Sequence, residues 1–380
     1  MVLALALVLS AAPADAPAEL GDDVKLLYQV VTCQDGALPA NVDAAVVKAY
    51  CVKQQERFAR FREHWGARAQ TFLTSLEPKD LPAELVYPFG GGDLMMALTA
   101  FPDAKVITTL SLELAGDPRR LRTLKDPKAL EQSLKAIGTA SASTLISNDS
   151  KSVNLSAIQQ GELPGQLSMH LMGLALYDLV PTRARFFRVE PDGSLHYFSA
   201  AEIEALGTTT AAQLKSNWKP PDFSPAFANV ELEFVPRANP TAPPRIFRHL
   251  GANLSNDGLK AAPGVLKHLE AKGTVAAMTK AASYLLWRDE FSAVREYLLA
   301  HARFMVSDST GVPPRFWKAK GCTVATYGTF EKSFLGTWEV FQKELRETFA
   351  ADPHPLPMRF GYPDGSAEKR SHLMTATCPR

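Results

Sequence analysis

The chain has 380 residues, 46% hydrophobic and 21% charged, with a formal net charge of +1. That balance excludes the clustered basic excess with which a nucleic-acid groove neutralises phosphates. The length suffices for one large domain or two smaller ones, and the 27 prolines point to well-defined element ends rather than to disorder.

The first residues, MVLALALVLSAA, carry no charged side chain. A run of this length is shorter than the about 20 residues that span a bilayer, and it fits the apolar centre of a secretory signal. Ala12-Pro13-Ala14 offers a small-x-small cleavage site with Asp15 as the new first residue. Ala14-Asp15-Ala16 is poorer, because Pro17 would follow the cut. No Lys or Arg precedes the apolar run, and the alternative is an N-terminal helix or strand buried in the fold. Residues 1–14 are read as a signal peptide, 15–40 as a stalk and loop, and 41–380 as a single α/β domain. Such a protein is expected in the periplasm or secreted, with no transmembrane anchor after leader removal.

Apolar residues at helical spacing, among them Val47, Tyr50, Phe58, Phe61 and Trp65, predict a helical segment over 41–77. Next come a strand over 84–89, the turn Gly90-Gly91-Gly92, a helix over 93–101 and a β-branched strand over 105–113. Strand, glycine turn, helix and strand form a βαβ unit, with parallel pairing and a right-handed crossover. Asp117-Pro118 has the cap-then-proline signature of another helix start. Helices are expected through 137, then a polar irregular stretch over 139–154 and an apolar helix over 163–179. Asp192-Gly193 between two β-like runs, 185–190 and 195–199, predicts a hairpin. A loop covers 218–226. Strands over 230–235 and 245–254 are joined by the proline-rich segment 236–244 and read as a hairpin insertion.

Helices are expected over 263–287 and 291–302, and a short strand over 303–306 runs into the loop Ser307-Asp308-Ser309-Thr310-Gly311. A strand over 323–327, a helix over 336–349 and an antiparallel pair, 358–362 with 372–377, complete the chain. The fold class is α/β: a Rossmann-like mixed sheet with helices on both faces, antiparallel strands toward the C-terminus and a hairpin insertion.

The four cysteines, Cys33, Cys51, Cys322 and Cys378, include no C-x-x-C pair, so zinc and thioredoxin-like chemistry are not expected. An even number in an exported chain favours disulfides. Cys33–Cys51 would close a loop around Gln34-Asp35-Gly36, and Cys322–Cys378 would tie two strand-like segments. Buried free thiols are the alternative.

Two segments stand out as candidate sites. In Tyr87-Pro88-Phe89-Gly90-Gly91-Gly92-Asp93, glycines between a strand and a helix allow close backbone approach to a ligand, and the helix N-terminus offers N–H groups to an anion. Glu113 closes the next strand, where Rossmann folds hold a ribose-binding acid. Asp93 is the expected helix cap, and a purely structural turn is the competing reading. In the second segment, Asp308, Ser309 and Arg315 gather a carboxylate, a hydroxyl and a guanidinium after a strand, with Arg315 as a fork donor for an anion. The competing reading is a self-capped loop anchored by Trp317. Asp289 and the cluster Asn253, Ser255, Asn256 and Asp257 read as caps and turns. The chain lacks G-x-S-x-G, H-E-x-x-H, P-loop and EF-hand signatures. Its eight histidines are dispersed, so no metal site is expected and no motif requires a cofactor. His170, in an apolar stretch, reads as a core residue.

The segments YPFGGGD, NLSND, KAASYLLWRDEFS and SDSTGVPPRFW resemble an uncharacterised family of exported bacterial proteins and lipoproteins. That likeness implies export and no particular activity, and the lipoprotein cysteine after the leader is absent here. The run from the glycine turn to Glu113, with an antiparallel strand pair at the far end, more distantly resembles class I methyltransferases. This second resemblance implies that Gly90, Gly92 and Glu113 match positions holding S-adenosylmethionine. The expected function is non-catalytic binding of a small molecule or an envelope protein. The alternative is a transferase or hydrolase with a pocket between the Gly90–Asp93 turn and the Asp308–Arg315 loop.

Overall fold

Eleven short runs, most of them rich in apolar and β-branched residues, pair into one sheet in the computed structural model. It describes residues 16–147, 161–208, 224–308, 311–330, 339–361 and 371–379. The strands are β1 (Glu84–Pro88), β2 (Val106–Ser111), β3 (Leu179–Val189), β4 (Leu195–Tyr197), β5 (Asn229–Pro236), β6 (Arg245–Gly251), β7 (Val275–Thr279), β8 (Ala302–Ser307), β9 (Thr323–Gly328), β10 (Pro353–His354) and β11 (His372–Thr377). Their order is β10-β9-β11-β8-β7-β1-β2-β6-β5-β3-β4. The centre, β8-β7-β1-β2-β6, is parallel throughout. Numbered among themselves these five strands run 5-4-1-2-3, the doubly wound order, whose direction of winding reverses between β1 and β7. β11 enters antiparallel between β8 and β9, and β5, β3 and β4 extend the other side antiparallel.

Two apolar cores sandwich the sheet. One holds Val24, Val47, Leu73, Leu94, Leu134 and Leu167 from the helices of the first half of the chain. The other holds Leu259, Leu269, Leu298, Trp317 and Leu345 from those of the second half. Helix Gly165–Leu176 is buried on every side, which is why its sequence is apolar all round. The Arg62 guanidinium donates to the carbonyls of Ala175 (2.9 Å) and Leu176 (3.2 Å), closing that helix's C-terminus. Both expected hairpins form, β3 with β4 and β5 with β6. Disulfides join Cys33 to Cys51 and Cys322 to Cys378. The second bridges the neighbouring ends of β9 and β11, next to the pair Thr377–Thr323.

Several expectations are corrected. Within 15–40 there is a helix, Gly21–Thr32, that buries Val24, Leu27, Val30 and Val31 at helical spacing and carries Asp22 and Asp23 in its first turn. Residues 263–287 are not one helix: Pro263–Glu270 is followed by β7, whose VAAMT run is buried on both faces and so shows no alternation. The apolar helix ends at Leu176, and Leu179 begins β3. Helix Pro127–Ser147 continues through the start of the stretch expected to be irregular. β11 pairs with β8 and β9, and within the described part of 358–362 the Phe360 carbonyl accepts the His372 N–H. Pro353, Pro355 and Pro357 in the approach lack ladder donors. The leader 1–14, Ser309 and Thr310 lie outside the described residues.

Candidate functional site

The carboxyl ends of β1, β7 and β8 meet where the winding reverses, the position at which open α/β sheets take ligands. β1 ends in a turn in which the Gly90 N–H bonds the Tyr87 carbonyl (3.2 Å) and the Asp93 N–H bonds the Gly90 carbonyl (2.9 Å). Phe89 adopts a left-handed conformation there, φ 61°. Helix Leu94–Ala100 follows, but the Asp93 side chain does not cap it. Its Oδ2 instead accepts from the Tyr87 hydroxyl at 3.1 Å and from Lys280 Nζ at 3.1 Å. The expected cap is thus an ion pair: Lys280 brings a charge into an apolar site, and its carboxylate partner is drawn inward.

Lys280 directly follows β7, and Ser283 fixes its backbone. The Ser283 hydroxyl accepts from the Lys280 N–H (2.8 Å) and donates to the Lys280 carbonyl (2.9 Å). Beside it the Thr279 hydroxyl donates to Ser307 Oγ (2.8 Å), and the Ser307 hydroxyl donates to the Asp308 carbonyl (2.7 Å). The Asp308 N–H reaches the Thr279 carbonyl at 3.3 Å. Gly311 folds back over these hydroxyls so closely that a Cβ there would overlap both Thr279 Oγ1 and Ser307 Oγ. The structure therefore brings the glycine turn and the start of the Asp308 loop together around Lys280. Tyr87, Asp93, Lys280, Thr279, Ser307 and Asp308 are all fully buried, and Gly90, Gly91 and Gly92 are buried beside them.

Two other candidates lie in different surroundings. Arg315, on helix Pro314–Ala319, pairs with Glu344 and packs its guanidinium 5.3 Å from the Trp287 ring. Glu113, beyond β2, is buried, and burial pushes its carboxyl above the usual range. Its carbonyl accepts from His249 Nε2 at 2.7 Å, which leaves Nδ1 to accept from the Thr109 hydroxyl at 3.0 Å. Burial holds His249 down to about 4, in its neutral form. The His170 ring lies 5.0 Å from that of His249, and its nitrogens have no hydrogen-bond partner among the described residues. Asp289 pairs with Arg295, and the Ala293 N–H at the start of the next helix is taken by Asn256.

The segment after β2 also walls a cavity of about 170 Å³. Hydrogen bonds from Ala115 N–H to the Ala228 carbonyl, from Gly116 N–H to Phe227 and from Leu167 N–H to Ala115 hold it against the start of helix Gly165–Leu176. Arg119 bonds Asp117 and Glu204 and lies 4.8 Å from the Phe227 ring, and Arg120 pairs with Glu162. Gln166 lines the cavity with only 1% exposure, and neither atom of its amide has a hydrogen-bond partner among the described residues. Sequence reading missed Lys280 and Gln166. In each, a long polar side chain interrupts an apolar run (VAAMTKAA and LPGQLSM), and this was the available signal.

Among the described residues no cluster of His, Cys, Asp and Glu has metal-site geometry, and no helix is long and apolar enough to cross a membrane. No family model, curated protein or solved structure matches the chain.

Proposed function

We propose that this is an exported, non-catalytic binding protein of the cell envelope, carrying a small molecule on a Rossmann-like scaffold. One observation carries the reading. At the winding reversal the ligand position is filled by the protein's own Asp93–Lys280 pair, both side chains at 0% exposure. A short way along the same edge a cavity walled by Gly116, Arg119 and Gln166 remains. A nucleotide at the glycine turn would have to displace a buried ion pair, which is strongly unfavourable. The two disulfides support export, since such bonds persist in oxidising compartments.

The experiment is a thermal-shift and calorimetric screen with small polar metabolites, nucleotides and S-adenosylmethionine. Binding of at least one small metabolite, lost on blocking the Gly116–Gln166 cavity, is the expected result. Tight binding of a nucleotide or of S-adenosylmethionine would overturn it.

A second reading is a transferase or hydrolase using the Gly90–Asp93 turn and the Asp308–Arg315 loop. What favours it is the meeting of the first turn with Asp308 at Lys280, on a parallel core that ends in an antiparallel strand, as the methyltransferase resemblance implies. S-adenosylmethionine binding sensitive to Asp93→Asn would favour this reading over the first.

A further inference from the structure

Helix Gly165–Leu176 starts without a side-chain cap, after Pro164. The N–H groups of Leu167 and Ser168 bond the carbonyls of Ala115 and Pro164, and those of Gly165 and Gln166 have no such partner among the described residues. A helix N-terminus alone binds nothing in particular. Here a second observation accompanies it: Gln166, almost fully buried, lines the cavity at this helix end, and the donor and acceptor of its amide are both unused among the described residues. An amide in that state is costly unless something hydrogen-bonds it. The rim adds a second polarity. Asp117, Glu162 and Glu204 stand there against Arg119 and Arg120, three carboxylates to two guanidiniums.

We infer that this cavity binds a small zwitterion of the α-amino-acid type, an inference that rests on the ligand-binding reading above. The ligand carboxylate accepts from the N–H groups of Gly165 and Gln166 and from the Gln166 amide, where the helix dipole favours an anion. The ligand ammonium faces Asp117 and Glu204, two carboxylates that share the single guanidinium of Arg119. Size agrees: a dry cavity of about 150 Å³ admits a benzene, so one of about 170 Å³ suits a ligand of roughly seven non-hydrogen atoms, the size of a small amino acid. No chemical step is involved.

The test is isothermal titration of the full chain with the twenty amino acids, their deamino carboxylic acids, the corresponding decarboxylated amines and a set of neutral polar molecules. At least one amino acid should bind at a 1:1 ratio, with its deamino acid and its amine each at least tenfold weaker. Gln166→Leu should weaken that binding at least tenfold while leaving the ligand-free protein as heat-stable as wild type or more so. Gln166→Glu, which keeps the volume but sets a carboxylate against the ligand's, should weaken it similarly. An acid, an amine or a neutral molecule that binds as tightly as any amino acid, and is lost in Gln166→Leu, would overturn the zwitterion and leave the binding reading standing. Amino-acid binding unaffected by both Gln166 variants would overturn the site. Silence from all four sets would overturn both.

Discussion

Lys280 Nζ lies 3.1 Å from Asp93 Oδ2, and neither side chain has any solvent exposure. The two residues are 187 positions apart, at the ends of neighbouring strands β1 and β7. Removing one partner strands the other charge in an apolar site, which costs about 3–5 kcal/mol, whereas replacing both by apolar groups is often near neutral. Asp93→Asn and Lys280→Met should therefore each lower unfolding free energy by about that amount, and Asp93→Leu with Lys280→Met by clearly less. Urea denaturation of the three variants checks this. A double variant no more stable than either single one would contradict the coupling of the two residues.

Tyr87 donates to the same carboxylate oxygen at 3.1 Å. Tyr87→Phe keeps the ring and removes this donor to a charged acceptor, so a loss of about 1.5–3 kcal/mol is expected, smaller than that of Asp93→Asn. Equal losses in the two variants would contradict the ordering of the pair over the hydroxyl.

Each disulfide closes a loop, with sequence separations of 18 for Cys33–Cys51 and 56 for Cys322–Cys378. Loop-closure entropy assigns them about 3 and about 4 kcal/mol respectively. Reductant should lower the melting temperature, and Cys322→Ala with Cys378→Ala should lower it more than Cys33→Ala with Cys51→Ala. The intact mass under denaturing, non-reducing conditions should show no alkylatable thiol; labelled cysteine would refute the pairing.

Much of this architecture is legible in the chain, and the omissions have physical causes. The turn at Gly90–Asp93, the two hairpins and the pairing of the cysteines follow from local chemistry: glycine punctuation, Asp192-Gly193, and cysteines flanking short loops or strands. β7 was hidden because a central parallel strand is apolar on both faces, and Val275–Thr279 then reads like the helices beside it. Lys280 was hidden with it, since its role depends on which strand lies next to β1. The helix over Gly21–Thr32 was masked by the Ala- and Pro-rich run preceding it, although Leu27, Val30 and Val31 carry the spacing. Asp93 was legible as a polar residue at a helix start. Its partner was not, because tertiary contacts decide between cap and ion pair.

The buried histidines set an acid limit on the fold. Burial lowers His170 well below its usual range and His249 to about 4, and the proximity of the two rings disfavours charging both. The unfolded chain takes up these protons near pH 6.5, before the native state does, so protonation favours unfolding. Above that pH both states are neutral and the stability is fully present. It should fall from pH 6.5 toward pH 4, with a slope approaching about 1.4 kcal/mol per pH unit for each histidine. Replacing His170 by Gln should flatten this slope. A pH profile unchanged by His170→Gln would contradict the assignment.

Gly173 sits where helix Gly165–Leu176 crosses helix Leu94–Ala100, and there helix propensity and packing oppose each other. Alanine is the better helix former by about 1 kcal/mol. A Cβ at 173, however, would stand 2.9 Å from Met95 N and 3.3 Å from Leu94 Cβ, and the first of these is backbone that cannot rotate away. Overpacking of this kind costs about 1–3 kcal/mol, so Gly173→Ala should lose stability on balance, by about 1 kcal/mol, as read from urea denaturation. The direction of the strain carries a second consequence. Leu94 adjoins Asp93, so pushing the two helices apart also pulls the carboxylate from Lys280. Gly173→Ala and Asp93→Asn should then be non-additive, with a coupling of at least about 0.5 kcal/mol in a double-mutant cycle. A coupling of zero would mean that the crossing relaxes without moving the turn, and that the ion pair is held by β1 and β7 alone.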